Sequence, residues 1–178
     1  MPEALSDAMD RYADGDTSAF DVLYDELAPR LRAMLRRKRC NPALAEDLIQ
    51  QTFLRMHCAR AHYRRGQEVV PWAFAIARRL SIDAWRHADL ERRQQPRTEA
   101  GPPPGPEELL IAGETAHALA HGLERLAPQH REAFSLVKLD GLSLEQTAQV
   151  LDTTVTAIKL RLHRAYQALR GAVEGAND

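Results

Sequence analysis

The chain has 178 residues, 44% hydrophobic, 28% charged and 6% aromatic, with a formal net charge of −1. That length suits one medium domain or two small ones, and the composition excludes a disordered polyelectrolyte or a bilayer-spanning chain. Leu, Ala and Arg dominate while runs of Val, Ile and Thr are scarce, so the expected fold class is all-α.

The net charge conceals an uneven distribution. Residues 1–16 form an acidic segment of net −4, with five acids against Arg11. From Thr17 to Arg97 there are 16 basic and 9 acidic residues, and from Gly113 to Glu174 there are 7 of each. A basic middle segment between acidic or neutral neighbours suits a polyanionic or acidic partner. The two cysteines, Cys40 and Cys58, form no C-x-x-C pair, and no apolar N-terminal stretch resembles a signal peptide. A cytoplasmic protein with free thiols is expected.

In chain order, Phe20, Leu23, Tyr24, Leu27, Leu31, Met34 and Leu35 recur at helical spacing, with Asp16 or Thr17 as cap. Pro29 predicts a kink or break just before it. Asn41-Pro42 reads as a capped helix start. Leu44, Leu48, Ile49, Thr52, Phe53 and Met56 then form an apolar face, opposite Glu46, Asp47, Gln50, Gln51 and Arg55. The basic stretch Arg60 to Val70, with Gly66, predicts a loop. Pro71 opens a helix whose predicted core stripe is Trp72, Ile76, Leu80 and Ala84, with Arg78, Arg79, Arg86 and His87 mostly off it.

Residues 94–112 carry a Pro/Gly-rich linker; Gln94 to Pro106 alone holds five prolines and two glycines, which cannot continue a helix. The domain reading is therefore an acidic segment at 1–16, a helical domain at 17–93, the linker at 94–112 and a second helical domain at 113–174. Four helices are predicted in the second domain: about Glu114 to Leu126, Pro128 to about Leu139, one capped by Ser143 with Gln146 completing a capping box, and a last one after Asp152-Thr153-Thr154. Leu144, Thr147, Ala148 and Leu151 face inward in the third. Val155, Ile158, Leu162, Ala165, Tyr166 and Leu169 form the stripe of the fourth.

The third and fourth helices with the turn Leu151-Asp152-Thr153 make a helix-turn-helix, whose second helix ordinarily reads the major groove. Asp152 stands where a left-handed residue is needed, a geometry Asp tolerates better than most. Thr153, Thr154 and Thr156 offer hydroxyls and amides for phosphate at a helix N-terminus. Lys159, Leu160, Arg161, His163 and Arg164 supply cations for guanine edges or phosphate, and an apolar side chain for a thymine methyl. The bland alternative is a solvated basic helix face.

With these residues in place, the stretch Leu126 to Leu169 resembles the promoter −35 reading domain of extracytoplasmic-function sigma factors. The stretch Asp47 to Arg86 is similar to that family's domain that grips polymerase and melts the −10 element. The resemblance implies that Asp47, Leu48, Gln50, Gln51, Phe53 and Leu54 bind the clamp of core RNA polymerase. It implies that the Arg60–Val69 loop captures a flipped −10 base, with His62, Tyr63, Arg64 and Arg65 supplying stacking and charge. Trp72 and Phe74 match aromatics of the melting helix, although Trp72 reads first as core because it starts the stripe with Ile76 and Leu80, and Arg78, Arg79 and Arg86 would meet backbone phosphates. Leu160 stands where the family commonly has a small polar residue, and Asp152 where Gly is common. The implied partners are core RNA polymerase, promoter DNA and an anti-sigma factor, often membrane-bound.

No Ser/His/Asp set, paired carboxylates or Gly-rich phosphate loop stands out, so neither an enzyme, a cofactor nor a small-molecule substrate is expected. His57 and Cys58 are adjacent and point about 100° apart on a helix, which argues against a metal site with His62. The rival readings are a stand-alone helix-turn-helix regulator, which leaves the basic N-terminal domain unexplained, and a sigma-mimicking adaptor, which would not keep Lys159, Arg161, Arg164 and the basic loop.

Overall fold

The computed structural model describes residues 2–38, 40–94 and 122–174, and among these every regular element is helical. The chain divides into two compact units, Met1–Pro103 and Pro104–Asp178. Gln94, expected as the first linker residue, instead ends a helix; the rest of the linker and the helix predicted from Glu114 lie outside the described residues, except that residues 122–125 are helical.

The first unit consists of α1 (Pro2–Ala13), α2 (Ala19–Arg37), α3 (Pro42–Ala59), a 3₁₀ turn (Arg60–His62) and α4 (Val69–Gln94). The acidic N-terminal segment is thus a helix, because Leu5, Ala8, Met9 and Tyr12 form a buried stripe on it. It ends in a Schellman turn: Gly15 has φ +101°, its N–H donates to the Tyr12 carbonyl at 3.2 Å, and Asp16 N–H reaches the Arg11 carbonyl at 3.0 Å. Neither predicted residue is the N-cap of α2, which is Ser18; Asp16 instead accepts from the Ser18 N–H at 3.0 Å and from its hydroxyl.

Helix α2 runs unbroken through Pro29, against expectation. Pro29 is exposed, so water can reach the carbonyl left without its partner, and a proline costs a helix interior about 3 kcal/mol. Leu23, Leu27, Leu31 and Leu35 are each at most 1% exposed. At about 1.5–3 kcal/mol per buried side chain, their packing outweighs the proline. Asn41 caps α3 as predicted, its side chain accepting from Leu44 N–H at 2.8 Å. Arg32 on α2 and Glu46 on α3 form a two-pronged ion pair, with Nη2 to Oε2 at 2.9 Å, and the pairing holds the Glu46 carboxyl below its ordinary pKa.

Helix α4 begins at Val69, two residues before Pro71, since Val69 and Val70 are buried. Its core stripe differs from the predicted one: Val70, Ala73, Phe74, Ala77, Leu80 and Ser81 are buried, whereas Trp72, Ile76 and Ala84 are only partly covered. Phe74 is fully buried under the Arg30 guanidinium, 5.7 Å from the ring centroid.

The second unit contains α5 (Pro128–Phe134), which continues as a π-helical turn (Ser135–Leu139) where an uninterrupted α-helix was predicted, then α6 (Leu144–Val150) and α7 (Val155–Glu174). Arg131 reaches back from α5 to cap the preceding turn. Its Nε donates to the Leu123 carbonyl at 2.8 Å, and its Nη2 to the carbonyls of Glu124 and, at 3.0 Å, Leu126. Ala133, Phe134, Leu136, Leu142, Ala148, Leu151, Ile158, Leu162, Ala165 and Leu169 fill the core.

Candidate nucleic-acid and protein interfaces

Helix α6 is fixed by local chemistry at both of its ends. Ser143 Oγ accepts from Gln146 N–H at 3.1 Å and Gln146 Oε1 accepts from Ser143 N–H at 2.8 Å, completing the predicted capping box. At the other end Asp152 has φ +49°, the one positive φ outside glycine among the described residues. Its N–H donates to the Gln149 carbonyl at 3.3 Å and Thr153 N–H to the Ala148 carbonyl at 2.9 Å, a Schellman pattern with Asp in the glycine position. Thr154 then caps α7, its hydroxyl accepting from Ala157 N–H at 3.2 Å. Thr153 is half-buried and Thr154 and Thr156 exposed.

That turn sets the rotation of α7. Ile158, Leu162, Ala165 and Leu169 face the core, so Lys159, Leu160, His163 and Arg164 share the exposed side and Arg161 is half-buried. Leu160 is 50% exposed on that side. Residues 155–171 carry Lys159, Arg161, Arg164 and Arg170 and no acid. Gln167, one turn beyond His163, extends the exposed stripe; the sequence reading, which followed charge, passed over it. Tyr166, expected inside, is 46% exposed, edge-on to Phe134 with ring centroids 5.7 Å apart, and Lys138 Nζ lies 5.7 Å over its ring. Glu145 on α6 has its carboxyl pKa lowered, chiefly by a backbone N–H, then by Ser143 and by the charge of Lys159.

On α3, Asp47 and Gln50 are exposed, Gln51 is half-buried, and Gln51 Nε2 donates to Asp47 Oδ2 at 2.6 Å. Leu54 is 61% exposed. Leu48 and Phe53, expected in the same docking set, are 2% and 5% exposed and hold α3 onto its neighbours instead. Phe53 sits among aromatics, with Tyr24 at 4.9 Å and Phe20 at 5.6 Å between centroids. A groove of about 430 Å³ runs between α3 and α4, lined by Leu44, Asp47, Gln51, Arg55, Asp83 and Arg86 among others. Arg86, expected with the −10 set, lines this groove with Asp47 and lies 3.9 Å from Asp83.

The loop from Arg60 to Val69 contains a turn in which Gln67 N–H donates to the Arg64 carbonyl at 3.2 Å and Gly66 takes φ +73°. His62, Arg64 and Arg65 are exposed. Tyr63 is half-buried: its ring packs on Trp72 with centroids 5.3 Å apart and its hydroxyl donates to the Gln67 carbonyl. Burial, and then the nearby Asp10 carboxylate, push the Tyr63 phenol up to about 12. Trp72 is thus the floor of the loop and not the core residue that its stripe suggested. Arg79 is exposed and Arg78 half-buried. His57 is occupied within the fold, with Tyr12 Oη 2.5 Å from Nδ1 and Arg60 Nη1 3.1 Å from Nε2.

Comparison with known proteins gives two family matches: Sigma-70 region 2 over residues 23–91 and Sigma-70, region 4 over residues 116–169. The chain is 36% identical over 166 residues to RNA polymerase sigma factor CarQ of Myxococcus xanthus, covering 91% of this chain and 93% of that one. It is 36% identical over 172 residues to ECF RNA polymerase sigma factor SigF of Caulobacter vibrioides, with 93% and 91% covered. In fold it is similar to CnrH, solved with the cytosolic domain of CnrY, at TM-score 0.72 and 22% identity over 97% of this chain and 98% of that one. It is likewise similar to the sigma factor RpoE, solved with the anti-sigma factor NepR from Bartonella quintana, at TM-score 0.68 and 23% identity over 87% and 96%.

Proposed function

The chain belongs to the extracytoplasmic-function family of RNA polymerase sigma factors, which join core polymerase and direct it to promoters, and from that premise we propose how its residues divide the work. Region 4 is assigned to residues 113–174 and reads the −35 element through α7. Region 2 is assigned to residues 17–93; it docks on polymerase through the exposed α3 face of Asp47, Gln50, Gln51 and Leu54 and engages the −10 element through His62, Arg64 and Arg65, with Arg79 on backbone phosphate. The observation that carries this reading is the exposed stripe Lys159, Leu160, His163 and Arg164 on a helix whose rotation the Asp152 turn fixes. Cations that can reach base edges, beside one apolar side chain, are the chemistry of major-groove readout.

The protein works by binding, without catalysis of its own and without a cofactor, in the cytoplasm where its polymerase is; no helix among the described residues is long and apolar enough to cross a membrane. CnrH and RpoE are solved with CnrY and NepR. An anti-sigma protein is proposed here too, covering the α3–α4 groove in competition with polymerase. Simultaneous binding of such a partner and core polymerase would refute that competition.

The main test is run-off transcription on genomic promoters with purified protein and core polymerase lacking any sigma factor. Promoter-specific transcripts are expected, and Asp47→Arg should abolish them. A chain that binds DNA alone but neither joins core polymerase nor starts transcription is a helix-turn-helix regulator, and the region 2 assignments then fall.

A further inference from the structure

Helix α1 lies against the loop assigned above to the −10 element. It packs on α2, on α4 and on the 3₁₀ turn Arg60–His62 that opens the loop. Three links join the two. The Asp14 carboxylate accepts a hydrogen bond from Arg65 Nη2. Tyr12 Oη meets His57 Nδ1 at 2.5 Å, and the other ring nitrogen of His57 lies 3.1 Å from Arg60 at the start of the loop. Asp10 and Ser6 of this helix both act on the Tyr63 phenol, Asp10 raising its pKa and Ser6 lowering it.

The loop needs such support. Its internal bonds include Tyr63 N–H to the Arg60 carbonyl at 3.2 Å, the Gln67 N–H to Arg64 carbonyl turn and the Tyr63 hydroxyl on the Gln67 carbonyl, and Gly66 adds backbone freedom. A binding loop that must be ordered on contact loses affinity to that ordering. Helix α1 can act as a rigid lever because Leu5, Ala8, Met9 and Tyr12 anchor it. The Schellman turn at Gly15 then fixes the backbone of Asp14, the residue just before it.

We propose that α1 is the positioning element of the −10 loop, with Asp14 holding Arg65 and, through it, the turn Arg64–Gln67 that presents His62 and Arg64 outward. This rests on the reading that the loop engages the −10 element. The Asp14–Arg65 side chains are 52% and 70% exposed, so the pair is a modest restraint and its loss should leave the fold intact.

The test uses the full-length chain with Asp14→Ala, Asp14→Glu and Arg64→Ala. Three readouts are taken: hydrogen exchange at the Gln67 amide, opening of the −10 element by the holoenzyme on a promoter found by run-off transcription, and the thermal midpoint. Asp14→Ala should speed Gln67 exchange and reduce opening, each about two- to fivefold. The midpoint should stay in place, and Asp14→Glu should restore both. Unchanged Gln67 exchange overturns the proposal. So does increased opening, because Asp14 would then be competing with phosphate for Arg65. If Arg64→Ala leaves opening intact, the −10 reading of the loop fails, while the exchange result still decides whether α1 positions the loop.

Discussion

Replacing Arg164 with Ala separates base reading from generic attraction to DNA. Arg164 is exposed on α7 while its neighbours Leu162 and Ala165 face the core, so its truncation should change stability by no more than about 0.5 kcal/mol. Ile158→Ala is the internal control: that side chain is 0% exposed, and its loss should cost about 2–5 kcal/mol. If Arg164 makes a two-pronged contact to a guanine edge, binding to the cognate −35 element should weaken by about 1–3 kcal/mol. That corresponds to roughly 5- to 150-fold in the dissociation constant. The assay titrates holoenzyme against a promoter fragment and against the same fragment with its −35 bases replaced, across a salt series. A base contact predicts loss on the first fragment alone, with the salt dependence little changed. Equal loss on both, with the log–log salt slope shallower by about 0.9, marks a phosphate contact and refutes base readout by this residue. A large drop in thermal stability would instead refute the placement of Arg164 on the exposed face.

Three further outcomes follow from single features. Asp152 holds φ +49°, so Asp152→Gly should be near neutral, whereas β-branched Asp152→Val should lose about 1–2 kcal/mol in urea denaturation; a Val variant as stable as the parent would show that no left-handed residue is needed. The Thr147 hydroxyl is buried without a hydrogen-bond partner, so Thr147→Val should stabilise the second unit by about 1 kcal/mol, and destabilisation would mean that the hydroxyl is satisfied, for instance by a bound water. The Tyr63 phenol is raised to about 12 from 10.0, so the folded chain keeps a proton that the unfolded chain releases. Tyr63 therefore leaves stability unaffected below the unfolded value and lowers it as pH rises from there toward 12. In a phenolate absorbance titration one of the four tyrosines should ionise late, and Tyr63→Phe should remove that step.

What could be read directly from the sequence was local chemistry. The Asn41 cap, the Ser143/Gln146 box and the left-handed Asp152 each depend on a side chain and the backbone within three residues of it, so their geometry is written in the order of residue types. The rotation of α4 was not legible. Trp72, Ile76, Leu80 and Ala84 make a persuasive stripe, but Ala73, Ala77 and Ser81 count for little in hydropathy while they permit the closest packing, and those are the buried positions. Helix α2 shows the same limit from the other side: Pro29 is a strong local signal, yet burial of four leucines around it decides the outcome. The α3 docking set failed for another reason: it was carried over whole from the resemblance, across the apolar face that the helical spacing had already drawn. Leu48 and Phe53 share a helix with Asp47 and Gln50 but face inward, and Arg86 lines the same α3–α4 groove as Asp47, a proximity between residues far apart in the chain.

The charge distribution bears on how the two units can be selective. Non-specific affinity for DNA grows with the number of phosphates neutralised. The chain as a whole has a net charge of −1, and Asp14, just after α1, sits directly on Arg65 of the basic loop. Generic DNA therefore gains little from the free protein, even though residues 155–171 are locally basic. A single helix with one cationic stripe is a weak reader by itself, and a loop whose Arg65 is already paired is weaker still. Selectivity must come from binding both elements at once: with the two units held by polymerase, the second contact becomes intramolecular and gains effective concentration without any new contact. On this argument the modest charge is a requirement of the mechanism. A chain basic enough to hold DNA unaided would also hold it at sites without a promoter.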